Sequence, residues 1–401
     1  MTDLLIKNGR LIDPSVNLDA VMDIAITDGE ISAIAKSIDP KTATRVIDAT
    51  GLLVTPGLID IHTHVAAGLR KAGTEDMMGD VDTAGVHSGV TTVLDAGSTG
   101  AYNVGGFVNF IVPSAITRTL ALLNVGTLGV TRAPEVRDAA DIDIDAGIAA
   151  LAARPDVLVG VKVRMVTPGI RTLGIELPKA AKKMAEDAET GAFVMVHIGD
   201  ILGQDPIAAE LAPQLLSDVL TEGDVVTHSL SFQVGALLKG GKLLAEAKAA
   251  RERGVVFDVG VGKANFSFES AKQVLDQGFV PDTLSSDFTE MSRFAGPTHS
   301  MVECMSKMLS IGLPLGDVIA MSTSRPAQVL GIDEETGSLA VGYDADITLL
   351  ELANGDFLFR DVTGATHKGK QAFRPVSTVR AGEVIPVDYG PRPWGWLPEQ
   401  G

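Results

Sequence analysis

A single cysteine, Cys304, is all the chain holds, so no intrachain disulfide can form and a reducing compartment is expected. Aromatic residues are scarce at 4%, which leaves a core of aliphatic, Ala and Gly side chains. Bases are outnumbered: 33 Lys and Arg face 51 Asp and Glu, a formal charge of −18. That balance argues against nucleic acid and anionic membrane as partners, since both need a basic face. A small anionic substrate stays open, because a bound metal makes its own local field. No run of about 18 uncharged apolar residues occurs. Met1-Thr2-Asp3-Leu4 is not a basic segment leading into an apolar one. We therefore expect no signal peptide, no membrane span and a cytoplasmic location.

What is present suits a full globular core: 45% of the 401 residues are hydrophobic, and 43 glycines allow many tight loops. Residues 4–54 read as short strands. Leu4–Ile12 resembles a hairpin turning at Asn8-Gly9, and Asp23–Ile31 one turning at Asp28-Gly29. From residue 58 apolar strand-like runs alternate with helical stretches, the pattern of a parallel sheet. The runs are Leu58–Ile61, Thr91–Asp95, Leu120–Val125, Val157–Val163, Phe193–His197, Val225–His228, Val255–Val259 and Thr283–Asp287. Helices are expected at 76–88, 177–190, 206–221 and 235–253, and later at 299–311 and 315–321. Eight such units close as a (β/α)8 TIM barrel, an α/β fold. After Gly337 the pattern is β-like again. The expected division is a small β-domain from 1–54 and 336–388, a barrel over 55–335, and an extended arm over 389–401.

Barrel chemistry sits at the C-terminal ends of the strands. The first run ends in His62-Thr63-His64, two imidazoles that a strand would point the same way. Alone, such a pair is equally two polar residues at a strand end. The fourth run carries Lys162, the fifth ends at His197, the sixth at His228 and the eighth at Asp287. Four of the chain's 7 histidines thus fall at strand ends, while His87, His299 and His367 do not. Imidazole and oxygen donors suit zinc, with manganese, iron or cobalt also able to bind.

This ordered set, with Val54-Thr55-Pro56-Gly57 leading in and Gly342-Tyr343-Asp344-Ala345-Asp346 leading out, resembles the amidohydrolase superfamily over essentially the whole chain. The resemblance implies a two-metal hydrolase. Lys162 would be carboxylated by CO2 to N6-carboxylysine, a carbamate that bridges the metals. One metal would take His62, His64, Lys162 and Asp287, and the other Lys162, His197 and His228. A bridging water would be the nucleophile and Asp287 its general base.

The substrate is less defined. Dihydroorotases of the superfamily have an arginine where this chain has Ala66. Mononuclear deaminases lack the bridging lysine and use a His-x-x-Glu that His197 and His228 do not begin. Asp95-Ala96-Gly97-Ser98, Val161-Lys162-Val163-Arg164 and Asp258-Val259-Gly260 resemble the deacetylase branch, often labelled dihydroorotase-like. Its members hydrolyse acetyl esters of α-hydroxy acids such as acetyl-(R)-mandelate. Val261 stands where relatives carry histidine.

We expect cleavage of an ester or amide in a small carboxylate-bearing molecule, such as an N-acyl amino acid or O-acetyl α-hydroxy acid. The alternatives are a cyclic amidohydrolase of hydantoinase type and a non-catalytic barrel scaffold. Arg164, Ser98, Tyr102 and Asn103 are the candidate substrate-binding residues, with Lys263 and Arg293 behind them; Asp95 is expected to support a loop or a histidine. Homo-oligomerisation is compatible with this reading.

Overall fold

The structure is a computed structural model that describes residues 2–69, 78–297 and 299–401. Its two ends pair in one nine-stranded sheet. Leu53–Pro56 lies between Thr2–Asp13, to which it runs parallel, and Ile347–Arg360, to which it runs antiparallel. Leu11, Ile24, Val54, Ile347 and Val379 bury together on this sheet. Glu399–Gln400 adds a last short pairing to Ile347–Arg360.

The Asp28-Gly29 turn forms as expected. Both residues have positive φ (53° and 81°), which a two-residue hairpin turn requires. Asn8-Gly9 does not make a turn. Thr2–Asp13 is one continuous strand, and the pair makes an irregularity in its register with Leu18–Thr27. Asn8 has φ 59°, its N–H is taken by Asp23 Oδ1 at 2.9 Å, and a Cβ on Gly9 would lie 2.4 Å from Val54 Cγ2. The same two residues that favour a turn thus serve a bulge, because both halves of the strand have a sheet to join.

The second sheet is parallel and curls into the barrel. Its strands are Leu58–Thr63, Val90–Gly100, Arg118–Asn124, Leu158–Arg164, Phe193–His197, Val225–Thr227 and Val256–Phe257. Inside lies an aliphatic plug of Ile59, Ile61, Leu94, Leu122, Met195 and Val225, closed by Ala327 and Leu330. A larger apolar layer fills the space between the strands and the surrounding helices.

The expected eighth strand, Thr283–Asp287, is not a regular strand. The segment closes the barrel through parallel bridges Asp258↔Thr283 and Thr63↔Phe288. Its side chains and amides turn instead to buried carboxylates: Ser286 N–H donates to Asp60 Oδ1 at 3.0 Å and Ser285 Oγ to Asp258 Oδ2 at 2.6 Å.

Helices form at Glu176–Asp187, Met301–Ser310 and Leu315–Ala320, close to expectation. The helix expected over 206–221 is α-helical to Gln214 and continues as a π-turn, Leu215–Val219. The one expected over 235–253 begins only at Ala245. Before it, Leu238–Lys239 and Lys242–Leu243 pair as a hairpin, because Gly240 and Gly241 take φ 59° and 75°. Of the helix expected at 76–88, residues 76–77 lie outside the described residues. The remainder contains the short helix Val81–Ala84 and a 3-10 turn, Val86–Ser88.

Candidate metal centre

The barrel places six side chains at one end of its interior. Lys162 points inward on its strand, with Gly160 and Arg164 on the same face, because Val161 and Val163 face the outer apolar layer. Its Nζ is 3.2 Å from His62 Nε2. Asp287 Oδ1 is 3.4 Å from Nε2 of both His62 and His64. The rings of His197 and His228 lie 4.1 Å apart, and those of His62 and His228 5.0 Å apart. One ring nitrogen each from His62 and His228 and an oxygen of Asp287 all lie within 4.8 Å of one another.

Two of these six positions use left-handed backbone. His228 (φ 69°) follows the last residue of its strand and Asp287 (φ 50°) sits in the closing segment. Such conformations are uncommon outside glycine and turn the side chain off the direction of the chain. Glycines make room beside them. A Cβ at Gly262 would lie 2.2 Å from Asp287 Oδ2, and one at Gly97 would lie 2.6 Å from Lys162 Cβ.

Hydrogen bonds decide which nitrogen of each ring is free. His197 Nε2 faces the carbonyl of Gly199 at 3.1 Å and His228 Nδ1 that of Gly260 at 2.7 Å. A carbonyl only accepts, so those nitrogens carry the protons. That leaves His197 Nδ1 and His228 Nε2 with lone pairs. His228 Nε2 is buried and has no hydrogen-bond partner among the described residues.

The electrostatics follow from burial. Desolvation, with the nearby Lys162 and neighbouring histidines, holds His62 well below the usual imidazole range. Burial does the same to His197, and it lowers His228 to about 4. All three are therefore neutral near pH 7, as metal ligands must be. Burial lowers Lys162 to about 7, opposed by Asp287 and assisted by Arg164. Burial also resists ionisation of Asp287, but the nearby His64, His228 and Lys162 together hold its carboxyl below the usual range. An orphaned imidazole lone pair beside neutral histidines and an ionised carboxylate fits a divalent cation.

Behind the ligands lie residues that the sequence reading did not single out as a network. Asp258 accepts from Thr227 Oγ1 at 2.7 Å, Thr283 Oγ1 at 3.0 Å and Ser285 Oγ at 2.6 Å, and Thr227 Oγ1 meets His62 Nδ1 at 2.9 Å. Burial raises Asp258 to about 6 and Asp60 to about 7. The sequence signal was local in both cases: Asp60 lies two residues before His62, and Asp258 opens the Asp-Val-Gly motif.

A cavity of about 310 Å³ opens over the site. His62, His64, Lys162, His197 and Asp287 form its polar floor, and Met78, Val130, Ala133 and Ile201 an apolar wall. Arg164 also lines it but is paired through two nitrogens with the buried Glu135, its own side chain being 12% exposed. Ser98, Tyr102 and Asn103 are not among its lining residues. Ser98 bridges His64 Nδ1 (2.9 Å) and Asp95 Oδ2 (2.7 Å), which gives Asp95 a supporting position behind a histidine. The Tyr102 hydroxyl is bonded outward to Asp143 at 2.8 Å. Asn103 accepts from Gly100 N and donates to Leu128 O and Thr131 Oγ1, tying its loop to the one after Arg118–Asn124. Arg293 is held by Asp388 at 2.8 Å, away from the cavity lining, whereas Lys263 lines it.

A (β/α)8 barrel with this donor set at one end of its strands defines a class of hydrolases built around divalent metal. The family profile described as "Amidohydrolase family" matches residues 53–385. The chain is 34% identical over 396 residues to a deacetylase of Brucella anthropi, covering 97% of this chain and 94% of that one. It is 33% identical over 370 residues to a deacetylase of Agrobacterium fabrum, covering 91% and 87%. A crystal structure described as an adenine deaminase superposes with a TM-score of 0.86 at 29% identity, covering 96% of this chain and 100% of that one. This chain belongs to the amidohydrolase family and is a hydrolase. Among the described residues no helix is long and apolar enough to cross a membrane.

Proposed function

We propose that this protein is a metal-dependent deacetylase of small acyl esters or amides whose substrate also bears a carboxylate. The observation that supports it most is the convergence of Lys162, His62, His64 and Asp287 beside the free lone pair of His228. The relatives named deacetylase support the reaction class.

Lys162, near 7, has a substantial neutral fraction at neutral pH. A neutral amine adds to CO2 with loss of one proton and leaves a carbamate anion. His62, His64, Asp287 and that carbamate would hold one metal, and the carbamate with His197 and His228 a second. Zinc suits these donors, with manganese, iron and cobalt as substitutes. When bound, the metals supply a Lewis acid for the acyl carbonyl and an acidified water. Asp287 would accept a proton from the attacking water and return it to the leaving oxygen or nitrogen. The apolar wall of Met78, Val130, Ala133 and Ile201 excludes bulk water and receives the non-reacting substituent.

The test is metal analysis with a substrate screen. Purified protein should contain one to two equivalents of divalent metal and release acetate from O-acetyl 2-hydroxy acids or N-acetyl amino acids. Metal below one equivalent, with no turnover restored by zinc or manganese, overturns the reading. Turnover confined to cyclic imides moves it to the ring-opening branch.

A further inference from the structure

We propose that Lys263 receives the substrate carboxylate, that Arg164 does not, and that Asn265 Oδ1 accepts a hydrogen bond from an N–H or O–H beside that carboxylate. This rests on the reading of the substrate as a carboxylate-bearing acyl compound.

Arg164 is the obvious cation at the site, but its charge and fork are already used. Glu135 meets it through both carboxylate oxygens and is itself buried, and Arg164 outweighs that burial to keep Glu135 ionised. A substrate carboxylate there would have to displace an internal one.

Lys263 also lines the cavity and is exposed. Among the described residues it has no carboxylate partner, and its only side-chain contact is a weak one to Met291 Sδ at 3.9 Å. Asn265 lines the same cavity, is 3% exposed, and its Oδ1 is buried with no hydrogen-bond partner. A buried amide oxygen without a partner is costly, and because it only accepts, a ligand facing it completes it with an N–H or O–H.

The loop bearing both residues is held against the reacting centre. Gly262 packs on Asp287, and Gln233 Nε2 pins Ala264 O at 2.7 Å from the other side. Ser267 then caps the helix Phe268–Asp276. Lys263 and Asn265 therefore lie beside the general base on a braced loop, next to a wall that fits an apolar substituent. The substrate class this arrangement takes is an acyl derivative of a 2-substituted acid with an apolar side chain. The ammonium meets the carboxylate, and Asn265 Oδ1 accepts from an N–H or O–H at the 2-position.

Calorimetry on the metal-loaded full chain tests this without turnover, using 2-hydroxyisocaproate and its neutral primary amide as probes. Wild type should bind the acid at least about tenfold more tightly than the amide, the factor of one charge-assisted hydrogen bond. Lys263→Met should erase that preference and leave amide binding within about twofold, Lys263→Arg should restore it in part, and Asn265→Ala should weaken binding of acid and amide alike through loss of the acceptor for their 2-hydroxyl. In turnover, Lys263→Met should raise KM for the acyl acid with kcat little changed. Lys263 is exposed, so its variants keep the fold. Equal binding of acid and amide by wild type, no binding of either, or an unchanged preference in Lys263→Met overturns the proposal. An intact preference in a protein that hydrolyses no acyl compound overturns the deacetylase reading and leaves the carboxylate site standing.

Discussion

Thr227 Oγ1 lies 2.9 Å from His62 Nδ1 and 2.7 Å from Asp258 Oδ2. A hydroxyl has one proton to give. Given to Asp258, it obliges His62 to donate from Nδ1 and turns the Nε2 lone pair toward Lys162 and Asp287. Ser98 repeats the arrangement between His64 Nδ1 and Asp95. Each histidine of the pair is thus set in its tautomer by a hydroxyl that a buried carboxylate orients.

Thr227→Val removes the hydroxyl at nearly constant shape, leaves His62 Nδ1 without its partner and leaves Asp258 Oδ2 with Ser285 alone. Metal affinity should fall by about 10–100-fold, the usual scale for losing an outer-sphere partner. Thr227→Ser should retain most of it. Competition with a chelator of known affinity measures both, and wild-type affinity in Thr227→Val would refute the relay.

Lys162 makes a pH-dependent prediction. Its amine is lowered by burial from 10.5 to about 7. Between those values the unfolded chain binds a proton that the folded chain does not, so stability of metal-free, uncarboxylated protein should rise with pH across that window. Below about 7 the contribution should be flat. Lys162→Met should remove the slope and lower activity by about 100-fold or more through loss of the metal bridge. Thermal melts of metal-free protein from pH 6.5 to 10 measure the slope. The same slope in both proteins would contradict the assignment.

The Arg164–Glu135 pair should show the asymmetry of buried ions. Glu135→Gln strands a buried guanidinium and should cost about 3–5 kcal/mol. Arg164→Met combined with Glu135→Leu removes both charges and should cost much less. Urea denaturation of the three proteins decides it, and equal stability of the single and double variants would mean the pair is not desolvated as its burial implies.

Gly97→Ala places a methyl 2.6 Å from Lys162 Cβ at a residue with φ 79°. Backbone strain and steric displacement should together cost about 1–3 kcal/mol. Because the clash is with Lys162, activity should fall beyond what lost stability explains. Assays well below the variant's melting temperature separate the two effects, and full activity there would show that Lys162 tolerates the shift.

The ligand positions and the barrel could be read from local pattern. A strand alternates its faces, so His62-Thr63-His64 and the apolar runs ending at His197 and His228 signal their geometry within a few residues. The Asp28-Gly29 turn was readable for the same reason, since positive φ is a property of the residues themselves. Asn8-Gly9 was not, because the same backbone preference serves a bulge when strands continue on both sides.

The remainder depends on residues that meet only when the chain is folded. Ser286 reaches Asp60 across 226 positions, and this contact replaces the regular ladder expected of the closing strand. Arg164 looked like a free cation in sequence, and Glu135, 29 residues earlier, occupies it. Periodicity and backbone preference specify where along the chain a ligand stands and which way its strand faces. Desolvation, ion pairing and tautomer depend on which groups lie within about 3 Å once water is excluded. The chain's pattern therefore names the family and the candidate ligands, whereas the folded cavity assigns the charges, leaving Arg164 paired and Lys263 without a carboxylate partner among the described residues.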